Sequence, residues 1–295
     1  MILHSKAKTS QALLIQTQGH GFWKMVFLLK QGDGICYVIH SLYLRVIINH
    51  KSIKMKKLLI LYLFSTSIIA QQTEVVYENI FLSPVKSKEN LLLEGVKKHN
   101  AKFHSNGETT ASLYSVLVGQ HSGQYVWLNG PMKMSDYDNM PDDSHMEDWQ
   151  NNIRNYVTNE TVKIAKLNWD ASYSPPKWGS PKYLLWRTFK IKQDLDSYNK
   201  VLETVTKIGM VLKNINAPDP RRVYESVFRS ESREDITLVY PFKTFTRFSD
   251  TNGLPPGFQV EYDKINGPGA FRRDVGEIFS KHTNGWHDEV LMLVE

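Results

Sequence analysis

Six of the ten histidines fall after residue 70 and are the first residues to weigh for chemistry: His99, His104, His121, His145, His282 and His287. Histidine is the commonest metal ligand, and its charge changes near neutral pH. Spacing limits what these six can share. His99 and His104 stand five residues apart, as do His282 and His287, whereas two ligands on one helix face would stand four apart. His99 falls on an apolar stripe with Leu92, Val96 and Phe103, which reads as a half-buried histidine with its hydrogen bonds satisfied. His121 lies in the polar turn Gly119 to Gly123 and reads as solvated. His282 and His287 flank the last predicted strand, beside Trp286 and Asp288, and read as surface-loop residues. No metal site is expected. A haem needs an axial ligand in an apolar pocket, a place His99 or His287 could take; otherwise no cofactor is expected.

Aromatic residues are the second group. Tyr114, Tyr125, Trp127, Trp186, Tyr224, Tyr240 and Phe242 all sit on predicted strands. Facing a cavity they would stack a flat organic ligand, with tyrosine hydroxyls and Asn129 as polar handles. Facing a helix layer they are core. The candidate ligand-binding set is Tyr114, Tyr125, Trp127, Tyr224, Tyr240, His99 and His287. Acids form the third group. Asp136, Asp138, Asp142, Asp143, Glu147 and Asp148 cluster around one loop, but the glycine and terminal bidentate acid of a calcium loop are missing, so a solvated loop is expected. There is no glycine-rich phosphate loop, GxSxG, HExxH or CxxC, and no catalytic residue can be assigned.

The elements that must position these residues follow from periodicity. Thr73 to Leu82 is β-branched and aromatic and reads as a strand. A helix starts at Ser87 and ends at Asn106-Gly107. Ala111 to Val118 and Tyr125 to Lys133 make a hairpin. A second helix is expected from about His145 through Val157 and on toward Ile164, with a short closing strand at Asn168 to Tyr173. Pro175-Pro176 and Gly179-Ser180-Pro181 interrupt the pattern. It then restarts with a strand at Tyr183 to Ile191 and a helix stripe from Tyr198 to Ile215. Arg222 to Phe228 and Ile236 to Phe248 form a second hairpin. Helical signal returns around Phe271 to Phe279, and a strand at Glu289 to Val294 closes the chain.

The two stretches echo each other. Tyr114 and Tyr224 each open an apolar run, cross a polar turn and leave through Pro-x-Lys (Pro131-Met132-Lys133; Pro241-Phe242-Lys243), 110 residues apart. Leu93-Glu94-x-Val96-x-Lys98 recurs as Leu202-Glu203-x-Val205-x-Lys207, 109 apart. Each half reads β-α-β-β-α-β, the split βαβ or ferredoxin-like arrangement. The hairpin strands carry apolar side chains on both faces, so both sheet faces need cover. On these repeats the chain resembles the dimeric α+β barrel superfamily in a fused, tandem form. The resemblance implies an α+β fold: two tandem ferredoxin-like βαββαβ repeats, 73–175 and 183–295, joined by a linker at 176–182 and packed sheet to sheet. That superfamily includes monooxygenases, haem enzymes and small-molecule binders, so it implies a cavity and no particular chemistry.

Residues 55–70 have the anatomy of a secretory signal peptide: Met55-Lys56-Lys57, an apolar run from Leu58 to Phe64, then Ser65 to Ala70. Leu58 to Ala70 is too short to span a bilayer comfortably. The expectation is export to the periplasm or beyond from a start at Met55, with no stable membrane anchor after cleavage and 1–54 as an upstream extension, unstructured or apolar. Charge agrees. Nine of the 36 Lys/Arg and one of the 30 Asp/Glu lie in residues 1–70, which leaves the remainder at −2 despite the overall +6. The body has no bulk attraction for phosphate, which argues against nucleic acid. Cys36, the single cysteine, also lies in the leader, so the body has neither disulfide nor thiolate. The expected function is an exported barrel, monomer or homodimer, that binds a small apolar or aromatic ligand or a partner without catalysis. The alternative is a cofactor-independent monooxygenase-like or haem-dependent oxidoreductase working in the same cavity.

Overall fold

The structure is a computed structural model. It describes residues 74–294 apart from 106–109, 139–140, 177–180, 230, 232 and 250–253, together with the backbone of short stretches between residues 6 and 44. Residues 1–70 and 71–295 are two separate units. In the first, Ser10–Gly19 pairs antiparallel with Phe22–Gln31, a hairpin that the lack of a sustained period did not reveal. The segment 55–70, expected to be a signal peptide, lies outside the described residues.

The second unit is an eight-stranded closed barrel with helices outside it. Its strands are Val76–Pro84 (β1), Ala111–Val118 (β2), Tyr125–Met132 (β3), Val157–Tyr173 (β4), Tyr183–Ile191 (β5), Arg221–Ser226 (β6), Ile236–Phe242 (β7) and Thr283–Leu293 (β8). Every pairing is antiparallel, and the order around the barrel is β5-β7-β6-β4-β1-β3-β2-β8. The helices are Glu89–Phe103 (α1), Asp143–Asn152 (α2), Leu195–Asn214 (α3), Phe258–Asn266 (α4) and Ile278–His282 (α5), the last preceded by a π-helical turn at Phe271–Glu277.

Alternation along the strands divides the core in two. Ile80, Leu82, Leu113, Tyr125 and Trp127 point outward and bury α1 and α2 through Leu92, Val96, Trp149 and Ile153. Phe189, Val223, Ile236 and Leu238 do the same for α3 through Val201 and Val205. The intervening residues Phe81, Tyr114, Val116, Val126, Leu184, Trp186, Val239 and Leu291 point inward and pack across the barrel. The strands form one closed barrel rather than two separate sheets, joined edge to edge. β4 gives Val157 to Lys166 to β1 and Ala165 to Tyr173 to β6. β8 pairs β5 on one side and β2 on the other. Closure removes the free edges that an open sheet leaves.

Expected boundaries need correction around α2 and β4, and the strand expected over Ile236 to Phe248 ends at Phe242. The helix at His145 stops at Asn152 rather than reaching Val157, and the expected short strand at Asn168 is the end of a 17-residue strand. Thr158, Thr161, Val162 and Ile164 are β-branched, and their restricted rotamers favour an extended run over the helix that the spacing of Ile153 and Val157 suggested. Helix seating depends on two glycines. A Cβ at Gly95 of α1 would lie 1.8 Å from the Asn152 carbonyl oxygen, and one at Gly209 of α3 would lie 2.4 Å from that of Ala171.

Candidate functional site

The barrel encloses a cavity of about 440 Å³, within the size range of small-molecule sites. Inward alternation builds it. β1 supplies Tyr77, Asn79 and Phe81, β2 supplies Tyr114, β5 supplies Trp186, and β6 supplies Arg222 and Tyr224. The Tyr77 and Tyr224 rings meet edge to face at 5.5 Å, and Phe81 meets Trp186 at 6.3 Å. These walls are aromatic and held by packing on both sides.

Arg222 lines this cavity while remaining exposed. It reaches the hydroxyls of Tyr77 and Tyr224. Burial pushes the Tyr224 hydroxyl up to about 12, with the Arg222 charge working against that rise. Burial also raises Tyr114, again opposed by Arg222. Tyr114 and Tyr224 therefore stay protonated at neutral pH and can donate hydrogen bonds next to a fixed positive charge. Among the described residues no carboxylate forms an ion pair with Arg222.

The other charged groups on the wall are matched among themselves. Lys163 Nζ lies 3.6 Å from Glu234 Oε2, and His287 Nδ1 lies 3.7 Å from Glu234 Oε1. Burial lowers the His287 pKa, and the nearby Glu234 and Glu289 oppose that. Glu289 Oε1 is 2.5 Å from His121 Nδ1 and accepts the His121 backbone N–H at 3.2 Å. His121 is thus no solvated turn residue; its ring packs on Phe81 at 4.7 Å. His287 faces the cavity rather than a surface loop, because the final strand begins at Thr283, six residues earlier than expected. His282 is buried, with Nδ1 2.8 Å from the Ser197 hydroxyl.

The candidate set therefore divides by face. Tyr114, Tyr224 and His287 line the cavity. Tyr125 and Trp127 lie on the outer side under the helices, where the Tyr125 hydroxyl donates to Glu89 Oε1 at 2.6 Å and Trp127 Nε1 donates to Asn100 Oδ1 at 2.8 Å. Tyr240 also points outward, under the Arg247 guanidinium at 5.7 Å. His99 is fully buried between α1 and α2. Arg222, Tyr77, Asn79, Phe81 and Trp186 are among the cavity residues outside that set. Trp186 is legible as a strand aromatic, whereas Arg222 and Tyr77 are marked only by sharing an inward parity with Tyr224 and Phe81.

Spacing also misled at the histidines. Five residues separate His99 from His104, but α1 ends at Phe103, and His104 has left the helix with φ −126° and ψ 11°. Its ring turns back to within 5.3 Å of His99 and 5.4 Å of His145. Burial lowers the pKa of all three histidines, that of His104 to about 4. The acidic loop is only partly solvated: Asp142 caps α2, and Asp148 pairs with His99.

No family model and no curated protein matches the chain. Solved structures with similar folds include an anthrone oxidase-like protein (TM-score 0.49, 11% identity, covering 76% of this chain and 93% of that one). Another is a monooxygenase-like protein from Lactobacillus acidophilus (TM-score 0.48, 9% identity, 75% and 94%). A third is a chlorite dismutase variant from Candidatus Nitrospira defluvii (TM-score 0.46, 9% identity, 75% and 92%). Likenesses this distant decide neither activity nor ligand.

Proposed function

We propose that the protein is an exported α+β barrel that binds a small aromatic or apolar molecule carrying an acidic group, without catalysis. One observation carries this reading: an exposed Arg222, matched by no carboxylate among the described residues, lines a cavity of about 440 Å³ walled by Tyr77, Phe81, Tyr114, Trp186 and Tyr224. Ring faces supply stacking, while the guanidinium and neutral phenols supply donors for a carboxylate or phenolate. The test is a tryptophan-fluorescence titration of the full chain with 2-naphthoate and with the uncharged 2-naphthalenemethanol. Saturable binding that favours the acid is expected. Arg222→Ala should weaken the acid about tenfold or more, the size of one hydrogen bond to a charged group. An unchanged preference in that variant, or no binding of either compound, contradicts the reading.

An oxidoreductase in the same cavity is the second reading, and His287 on the wall is the observation that favours it. The surroundings of His287 do not fit a haem, which wants its axial ligand in an apolar pocket. Glu234 lies beside the ring, with Glu289, Lys190 and Lys163 near enough to shift its titration. His99 stands on the outer side of the sheet, away from the cavity. A Soret band in protein purified from its own host would overturn this judgement.

Two further features belong to this reading. The halves descend from one duplicated βαββαβ unit, supported by the repeated residues and by the strand orders β4-β1-β3-β2 and β8-β5-β7-β6. Export proceeds from Met55, supported by the segment from Met55 to Ala70. An intact mass beginning at Gln71 in the secreted protein is expected, and a mass that includes Met1 contradicts it.

A further inference from the structure

A second cluster lies outside the barrel, where the end of α1 meets the start of α2. His99 is fully buried, and its Nδ1 is 2.9 Å from Asp148 Oδ2. Asp148 is itself held, since its Oδ1 accepts from Asn152 Nδ2 at 3.1 Å and lies 3.7 Å from Lys102 Nζ. With Nδ1 committed to the carboxylate, His99 Nε2 is left buried and without a partner. His104 turns in beyond the helix end, its backbone N–H bonded to the Asn100 carbonyl at 2.9 Å. His145 sits in the first turn of α2, fixed by its backbone N–H donating to Asp142 Oδ1 at 2.9 Å. The Nε2 atoms of His104 and His145 are 3.3 Å apart, and one nitrogen from each of the three rings lies within 4.8 Å of the others.

That geometry has a chemical meaning. Two nitrogens bound to a tetrahedral zinc at about 2.0–2.1 Å stand about 3.3 Å apart. A carboxylate on the far nitrogen of a ligating histidine is the usual arrangement that fixes its tautomer and aims its lone pair at the metal. The rest of the shell is aromatic: Trp149 lies 5.1 Å and Phe103 5.0 Å from the His99 ring, and Trp127 lies 5.2 Å from that of His104. A set of three imidazoles without carboxylate ligands suits zinc and its transition-metal neighbours and not calcium or magnesium.

We propose that His99, His104 and His145 bind one first-row divalent transition-metal ion, zinc foremost, with Asp148 as the positioning residue behind His99. Three protein ligands leave a fourth position for water, on the side of the half-buried His145. The ion clips the C-terminal end of α1 to the N-terminal turn of α2. It makes no use of the barrel cavity, so this site stands or falls independently of the ligand proposed there.

The test is metal binding by the untagged full chain. After equilibration with Zn²⁺ and dialysis, elemental analysis should find one zinc per chain. Co²⁺ in its place should give the visible absorption of a four-coordinate ion. His145→Gln, at the half-exposed ligand, should abolish stoichiometric binding while circular dichroism stays native. Asp148→Asn should weaken zinc by about 10- to 100-fold, the usual effect of losing such a partner. X-ray absorption on zinc-loaded wild-type protein keeps the test open should the variants misfold; it should show three imidazoles at one ion. Absence of stoichiometric zinc overturns the proposal and leaves a plain His104–His145 hydrogen bond. Zinc retained undiminished by folded His145→Gln, or fewer than three imidazoles around the ion, overturns it as well.

Discussion

Arg222 and His287 show how neighbours set the task of a charged side chain. Arg222 stands among phenols and stays available to an anion, whereas His287 stands beside Glu234 and faces Glu289, Lys190 and Lys163. The folded-state pKa of His287 lies below 6.5 because burial outweighs its acidic neighbours. The unfolded chain therefore takes up this proton first, and stability is lost as pH falls through 6.5 toward the folded value. Thermal melts at pH 7.5 and 5.5 should show a smaller acid-induced drop for His287→Gln than for wild type. An equal drop would place the acid sensitivity elsewhere. Sequence alternation did separate Tyr114 and Val126 from Tyr125 and Trp127, since neighbours on a strand point to opposite faces. It could not say which set faces the cavity, because the barrel buries both faces and both are apolar. His104 was misread for a different reason: its direction depends on where α1 stops, and Asn106-Gly107 places that stop only to within a few residues.

Among the elements, α3 is seated by a close backbone approach to β4. Gly209 lets it close on β4, where a Cβ would lie 2.4 Å from the Ala171 carbonyl oxygen. Gly209→Ala gains helix propensity of about 1 kcal/mol but overpacks the contact at a cost of about 1–3 kcal/mol. The expected net effect is a Tm lower by a few degrees, at about 2–4 °C per kcal/mol for a domain of this size. Gly276→Ala, where a Cβ meets nothing within 4 Å, should leave Tm unchanged or raise it. If the two variants behave alike, the close approach of α3 does not matter. Elements were legible where one period ran unbroken, as at β5, whose bounds Tyr183–Ile191 match the expected strand. They were not legible at β4, where the spacing of Ile153 and Val157 mimics a helix and only tertiary pairing with two other strands decides the outcome.

At the scale of the whole molecule, closure matters most. β4 and β8 each pair with strands of both halves, so neither half of 71–295 can open without breaking hydrogen bonds to the other. Urea unfolding followed by tryptophan fluorescence and by far-ultraviolet circular dichroism should therefore trace one coincident transition. Separate midpoints would mean the halves unfold independently. The succession of strands and helices was legible because local periodicity marks each element. Edge-to-edge joining was not, since pairing between residues as distant as Val116 and Leu291 leaves no local mark. Closure also bounds the cavity with hydrogen-bonded strands. The most direct measurement is a crystal structure of the full chain soaked with 2-naphthoate. The ring should lie between Phe81, Trp186 and Tyr224 with its carboxylate on Arg222. A barrel filled by its own side chains, or naphthoate bound only on the outer surface, would contradict the account.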